Sequence, residues 1–231
     1  MQKLNNMKEV TIASIVANDM RTATIFKKYG IDFCCGGGRS VTEACEKQGV
    51  DSAKVIQEIQ NLDASRAVHD YVDMPLDQLI DHILKHHHSY VKEAMPIILQ
   101  FAEKVAKVHG QHHPETITIA KLFKAVAADL INHLQKEEEV LFPAIKQIMN
   151  ESGVIQASEL SAPIAAMVHE HDGAGDVFKE IERLSDRFSP PDQACNTYQA
   201  LYYHLKAFQD DLHIHIHLEN NILFKKVKAL H

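Results

Sequence analysis

From Pro75 onward, apolar residues return every three or four positions in four long stretches, the spacing of amphipathic helices. Pro75 suits the first turn of the first helix. Gly110 and Pro114 separate the first from the second, Asn150 to Gly153 ends the second, and Pro190-Pro191-Asp192 separates the third from the fourth. Pro96 and Pro143 fall inside helices, so a kink or break is expected at each. Short connections between four long helices predict an up-down-up-down bundle. Before Pro75 the helical pattern is shorter and broken by glycine. Met20 to Tyr29 reads as a helix with Gly30 as its stop. Ser40-Val41-Thr42-Glu43 reads as a capping box that opens another, and Asp51 to Leu62 as a further helix. The chain is therefore predicted to be all-α: a small helical domain over residues 1–65, a polar linker over 66–74, and the bundle over 75–231.

The apolar stripes also carry polar residues. On the second long helix the stripe runs through Ile119, Leu122, Val126 and Leu130, then Leu141, Ala144 and Ile148, and at helical spacing it takes in His133 and Glu137. On the fourth it runs through Leu201, Leu205, Phe208, Leu212, Ile222 and Leu223, and takes in His215 and Glu219; His213 and His217 fall on other faces. A histidine and a glutamate one turn apart inside such a stripe are costly to bury unless paired or bound to metal. The two helices match as sequence. His133-xxx-Glu137-xxx-Leu141-Phe142 aligns with His215-xxx-Glu219-xxx-Leu223-Phe224 at a constant shift of 82 residues, an internal repeat. His86-x-His88 and His169-x-His171 align at a shift of 83. On the third helix the stripe Ile164, Met167, Val168, Ala174, Phe178, Ile181 selects His171 over His169. On the first, periodicity leaves His87 and His88 open, and the repeat favours His88.

Composition sharpens this picture. The chain has 231 residues, 31 acidic against 24 basic, a net charge of -7, and 16 histidines. No Lys/Arg cluster stands out, so nucleic acid is not an expected partner. No stretch approaches the roughly 20 apolar residues of a membrane span, and the polar N-terminal residues point to a cytoplasmic protein. The four cysteines, Cys34, Cys35, Cys45 and Cys195, do not read as a disulfide framework. A single buried histidine is ordinarily a hydrogen-bonded core residue. Six residues at repeated positions facing one axis (His88, His133, Glu137, His171, His215 and Glu219) read instead as metal ligands. Four imidazoles and two carboxylates exceed the four ligands of one zinc and suit two metals about 4 Å apart, each carboxylate bridging both. Imidazole suits iron, zinc, copper and nickel alike, so donor type leaves the metal open.

Over residues 75 to 228 this arrangement resembles the hemerythrin-like family, whose ligands would fall on those six positions. The string Tyr29-Gly30-Ile31-Asp32-Phe33-Cys34-Cys35-Gly36-Gly37 ahead of such a bundle resembles the RIC family, the iron–sulfur cluster repair proteins. Glu137-Glu138-x-x-Leu141-Phe142-Pro143, Glu170-His171-Asp172 and Leu218-Glu219-Asn220-Asn221 fit the same family; Phe224-Lys225-Lys226 departs from its usual Phe-Pro. The resemblance implies two non-haem irons bridged by carboxylates and an oxo group. It implies repair of clusters damaged by nitrosative or oxidative stress, with damaged iron–sulfur proteins as partners and nitric oxide or oxygen as small ligands. A labile di-iron centre would supply the iron.

Four further residues are candidates for the chemistry. Glu170, beside His171, is a candidate outer or exit-path acid, with Asp129 as another. Cys34 and Cys35, in a glycine-rich turn before a helix, are expected to have lowered thiol pKa values from free backbone N–H groups and the helix dipole, and would accept iron, exchange disulfides or dock a client. Cys45 and Cys195 read as structural. The pairs His82/His86 and His213/His217 read as solvated surface histidines. Two other functions compete: a hemerythrin-type oxygen or nitric oxide sensor, and a nitric oxide reductase. An iron store lacks an acidic cage. A homodimer through the small domain is the expected assembly, if any.

Overall fold

A computed structural model describes residues 9–63, 71–149 and 156–230. All regular structure among them is helical, apart from one isolated antiparallel bridge between Thr11 and Ser40. Backbone contacts divide the chain into two compact units. One holds the residues up to Leu79 together with those from His213 on, and the other runs from Ile80 to Leu212.

In the first unit, α1 (Ile12–Asn18), α2 (Thr22–Lys28), α3 (Val41–Gln48) and α4 (Ser52–Gln60) are short helices with strong ends. Thr11 caps α1, Asp51 caps α4, and Ser40 with Glu43 closes a reciprocal capping box on α3. Gly30, at φ +67°, turns the chain after α2. Gly37 is fixed by close approach. A Cβ there would lie 2.4 Å from the Phe33 carbonyl oxygen and 2.9 Å from the Ala13 Cβ, where the Gly37 carbonyl accepts the Ala13 N–H. α1 packs against the later segment Glu219–Leu223.

The long helices make up the second unit, with the start of the first of them to Leu79 and the end of the last from His213 counted in the first unit. A helix begins at α5 (Leu76–His82), continues as a π-helical segment Ile83–His88, and runs on as α6 (Ser89–His109). α7 (Glu115–Lys136) passes through a second π segment, Glu137–Leu141, into α8 (Phe142–Met149). α9 (Ser161–Leu184) follows a single 3-10 turn, Ala157–Leu160, and α10 (Asn196–Leu218) leads into the third π segment, Glu219–Leu223, and α11 (Phe224–Lys228). α6 packs on α7, and α7 on α9. The core joining them is aromatic. Phe178 stacks on Phe208 at 5.5 Å, Phe123 meets Phe208 edge-on at 5.6 Å, and Tyr90 lies 6.2 Å from Phe208.

The π segments account for most departures from the simple periodicity. Each inserts one extra residue into a turn, so the buried face advances by one position. Beyond Glu137 the core side chains are Leu141, Phe142 and Ile145, while Ala144 and Ile148 are half-buried. Upstream, the bulkier Phe123 fills the core and Leu122 stays half-buried. Pro143 sits just after its π segment, where the helix changes type. Pro96 does not break α6, because it faces solvent while Val91, Ala94, Met95 and Ile98 anchor the opposite face. The expected helix stop at Asn150 to Gly153 and most of the linker lie outside the described residues. No described helix is long and apolar enough to cross a membrane.

Candidate metal centre

The donors are presented by the π segments and the helices that adjoin them. His88 closes the first π segment, Glu137 opens the second and Glu219 opens the third. His133 lies one turn before Glu137 on α7, His215 one turn before Glu219 on α10, and His171 lies on α9. All six side chains are buried, and both glutamates are fully so. They fall into two overlapping groups, His88, Glu137, His215 and Glu219, and His133, Glu137, His171 and Glu219. Within each group the donor atoms lie within 4.8 Å of one another. His87, left open by periodicity, turns to Asp211 instead (Nδ1 to Oδ1 2.9 Å).

The protonation pattern fits a cation. His88 Nδ1 lies 2.8 Å from Glu138 Oε1, and His133 Nδ1 lies 2.8 Å from Glu170 Oε2. Burial pushes both of these carboxyls up. Hydrogen bonds and charge from Lys92 and His88 on Glu138, and from Lys136 and His133 on Glu170, outweigh it and hold both below their usual range. An ionised carboxylate only accepts, so each of these rings carries a proton on Nδ1 and turns its Nε2 inward. His133 Nε2 then faces His171 Nε2 at 3.0 Å and Glu137 Oε2 at 3.3 Å, and His88 Nε2 faces Glu137 Oε2 at 3.5 Å. His215 Nε2 lies 3.0 Å from Glu219 Oε1. These nitrogens and carboxylate oxygens converge in one buried space, and that donor set suits a multivalent cation. A cleft of about 410 Å³ between α7 and α9 reaches His133 and His171 and is lined also by Asp129, Lys136 and Glu170. Asp129 is an exposed wall residue; the carboxylate on His133 is Glu170.

The Cys34–Cys35 turn is prepared differently from the sequence expectation. Its backbone N–H groups are not free: those of Cys34, Cys35 and Gly36 all donate to Asp32 Oδ1 at 3.1 Å. The first turn of α3 is closed by its own capping box. Cys34 is buried, 3.3 Å from Asp32 Oδ1 and 4.0 Å from the Cys35 sulfur. The hydrogen bond with Cys35, burial and the Asp32 charge push its thiol well above the usual range rather than below it. The turn is tied down by Asn221, whose Nδ2 donates to the Cys34 carbonyl at 2.9 Å, and by His217, whose Nδ1 lies 3.3 Å from the Phe33 carbonyl. His217 is thus fully buried, not a surface residue, because Phe33 packs over it. His213 is half-buried with its ring edge-on to Phe33. Cys45 is buried as expected, whereas Cys195 is exposed and sits 3.3 Å from His109 Nε2. The periodicity missed Glu138 and Asn221. Glu138 follows Glu137 directly and so lies off the apolar stripe; only its neighbour across the bundle, His88, shows its role.

The comparisons agree with this geometry. Residues 79–227 match the hemerythrin HHE cation binding domain, and residues 8–63 match ScdA_N, described as a domain of unknown function. The chain is 34% identical to the iron-sulfur cluster repair protein ScdA of Staphylococcus haemolyticus, over 94% of this chain and 97% of that one. It is 35% identical to the iron-sulfur cluster repair protein YtfE of Cronobacter sakazakii, over 90% and 91% of the two chains. It is 32% identical to that of Citrobacter koseri, over 97% and 99%. The fold and site define a hemerythrin-type cation-binding protein. More narrowly, the chain belongs to the ScdA/YtfE family of iron–sulfur cluster repair proteins.

Proposed function

We propose that the chain holds two iron ions through His88, His133, Glu137, His171, His215 and Glu219, and yields iron to iron–sulfur clusters damaged by nitrosative or oxidative stress. The observation that carries the reading is the overlap of the two donor groups, with Glu137 and Glu219 common to both. Two sites that share two carboxylates suit a bridged pair of ions. The relatives' names supply the task, and with it iron in preference to zinc. When bound, the pair supplies labile iron and positions open to nitric oxide or oxygen.

The protein's own groups have distinct parts. Glu137 and Glu219 would hold both ions. Glu138 and Glu170 keep the protons of His88 and His133 on Nδ1, so that Nε2 serves as donor. The cleft past Glu170 and Asp129 is the path by which iron leaves. Cys35, half-exposed beside the neutral Cys34 thiol, is the contact for a client in the cytoplasm. The organisation is a small Cys-Cys domain over 1–65, a linker over 66–74 and the bundle over 75–231.

A dehydratase whose four-iron cluster has been damaged by nitric oxide tests the proposal. Iron-loaded protein restores its activity under anaerobic conditions, and a Glu137→Ala protein does not. Recovery no better than with free ferrous iron, or equal recovery with the variant, would overturn the reading.

A further inference from the structure

Two lysines stand behind the centre in matching places. Lys92, one turn beyond His88, donates through Nζ to both oxygens of Glu138 at 2.7 Å, and Glu138 in turn accepts from His88 Nδ1 at 2.8 Å. Lys136, one turn beyond His133, donates to Glu170 Oε1, and Glu170 Oε2 accepts from His133 Nδ1 at 2.8 Å. His88 and His133 belong to different donor groups, so each group has one lysine–carboxylate–imidazole relay. In both relays the lysine sits on the same helix as its histidine, and the carboxylate reaches in from another segment. Half-exposed ion pairs are common on helical proteins and usually contribute little. These two differ in that the carboxylate's other partner is an imidazole only 1% or 3% exposed, whose far nitrogen faces the centre.

We propose that Lys92 and Lys136 are positioning residues that keep His88 and His133 weak donors, so that metal held at the centre is readily released. The proposal rests on the metal-centre reading above. A carboxylate that accepts an imidazole N–H pushes electron density into the ring and makes the other nitrogen a stronger ligand. An ammonium on the same carboxylate draws that density back, and its positive charge repels a cation beyond the ring. The lysines therefore work against the carboxylates they hold. If they served only to fix the geometry, their removal would let the carboxylates swing and the imidazoles loosen, and metal would leave faster. The electronic role predicts the opposite sign. The lysine side chains are 53% and 52% exposed, so water and salt weaken the effect without abolishing it.

The test is the rate at which full-length, ferrous-loaded protein gives up iron to a chromogenic chelator without oxygen, with melting curves to verify folding. Lys92→Met and Lys136→Met are each expected to slow release about threefold, and the double variant about tenfold, with the difference shrinking as salt is raised. Lys→Arg at either position keeps the wild-type rate. Glu138→Gln and Glu170→Gln speed release about tenfold, because the imidazole loses its electron source. Release that is faster or unchanged in the Lys→Met proteins, from a wild type that holds iron, overturns the relay and leaves the metal centre standing. A wild type that holds no metal after loading overturns both.

Discussion

The metal centre and the Cys34–Cys35 turn both use a carboxylate to set a proton on a ligand-type side chain, with opposite results. At His88 and His133 the carboxylate lies behind the ring. It holds a proton on Nδ1 and turns Nε2 into the cluster. At Cys34 the carboxylate of Asp32 lies 3.3 Å from the donor atom itself, alongside a second thiol and in a buried setting. Negative charge next to a thiol keeps the proton on sulfur. The first region is prepared to hold a cation at rest. The second holds its thiol protonated.

The sharpest break between the two comes from removing metal. Chelation leaves two fully buried carboxylates without a cation, a loss of about 3 kcal/mol or more. That lowers the melting temperature by about 10 °C for a chain of this size. Cys34→Ser/Cys35→Ser protein shows the same drop and the same metal content, measured by calorimetry and elemental analysis. A drop abolished by the cysteine changes would put metal in the wrong region.

The next largest effect concerns what holds the cysteine turn down. Burial pushes the His217 imidazole from 6.5 to about 4, against the opposing pull of the Phe33 carbonyl. A depressed histidine contributes full stability above about pH 6.5, and that contribution is lost as pH falls through about 4. Its worth is about 3 kcal/mol across that window. Urea unfolding at neutral and acid pH should show a steep acid limb that is flattened in His217→Gln. Smaller still is the Asp32 effect: Asp32→Asn removes the charge but keeps an acceptor for the three N–H groups. The midpoint of Cys34 ionisation, followed by thiolate absorbance, should fall by about one unit. A midpoint that rises would mean the carboxylate was not holding the proton. Asn221→Ala should cost only about 1 kcal/mol, exposing the Cys34–Cys35 turn to alkylation without loss of metal.

How far the sequence leads differs between these regions for a physical reason. The six residues that the structure brings together can be picked out in the chain because helical spacing and the repeat of 82 residues put His133 and Glu137 in register with His215 and Glu219. The same repeat reappears as the π segments Glu137–Leu141 and Glu219–Leu223. What spacing cannot show is a partner on another element. Glu138 meets His88 from 50 residues away, and Asn221 meets the Cys34 carbonyl from 187 away. The π turns shift the face after each donor, so Ala144 and Ile148 are misplaced where Ile145 is right. The cysteine turn departs from the sequence expectation because the Asp32 side chain takes the backbone N–H groups of Cys34, Cys35 and Gly36, a local contact that helical spacing does not show.

The central claim is that two ions share Glu137 and Glu219. Mössbauer spectroscopy of protein grown with iron-57, wild type beside Glu137→Ala, tests it most directly. The account predicts about two irons per wild-type chain, magnetically coupled, with no coupled pair in the variant. A single iron, a bound zinc, or a coupled pair that survives the loss of Glu137 would contradict it.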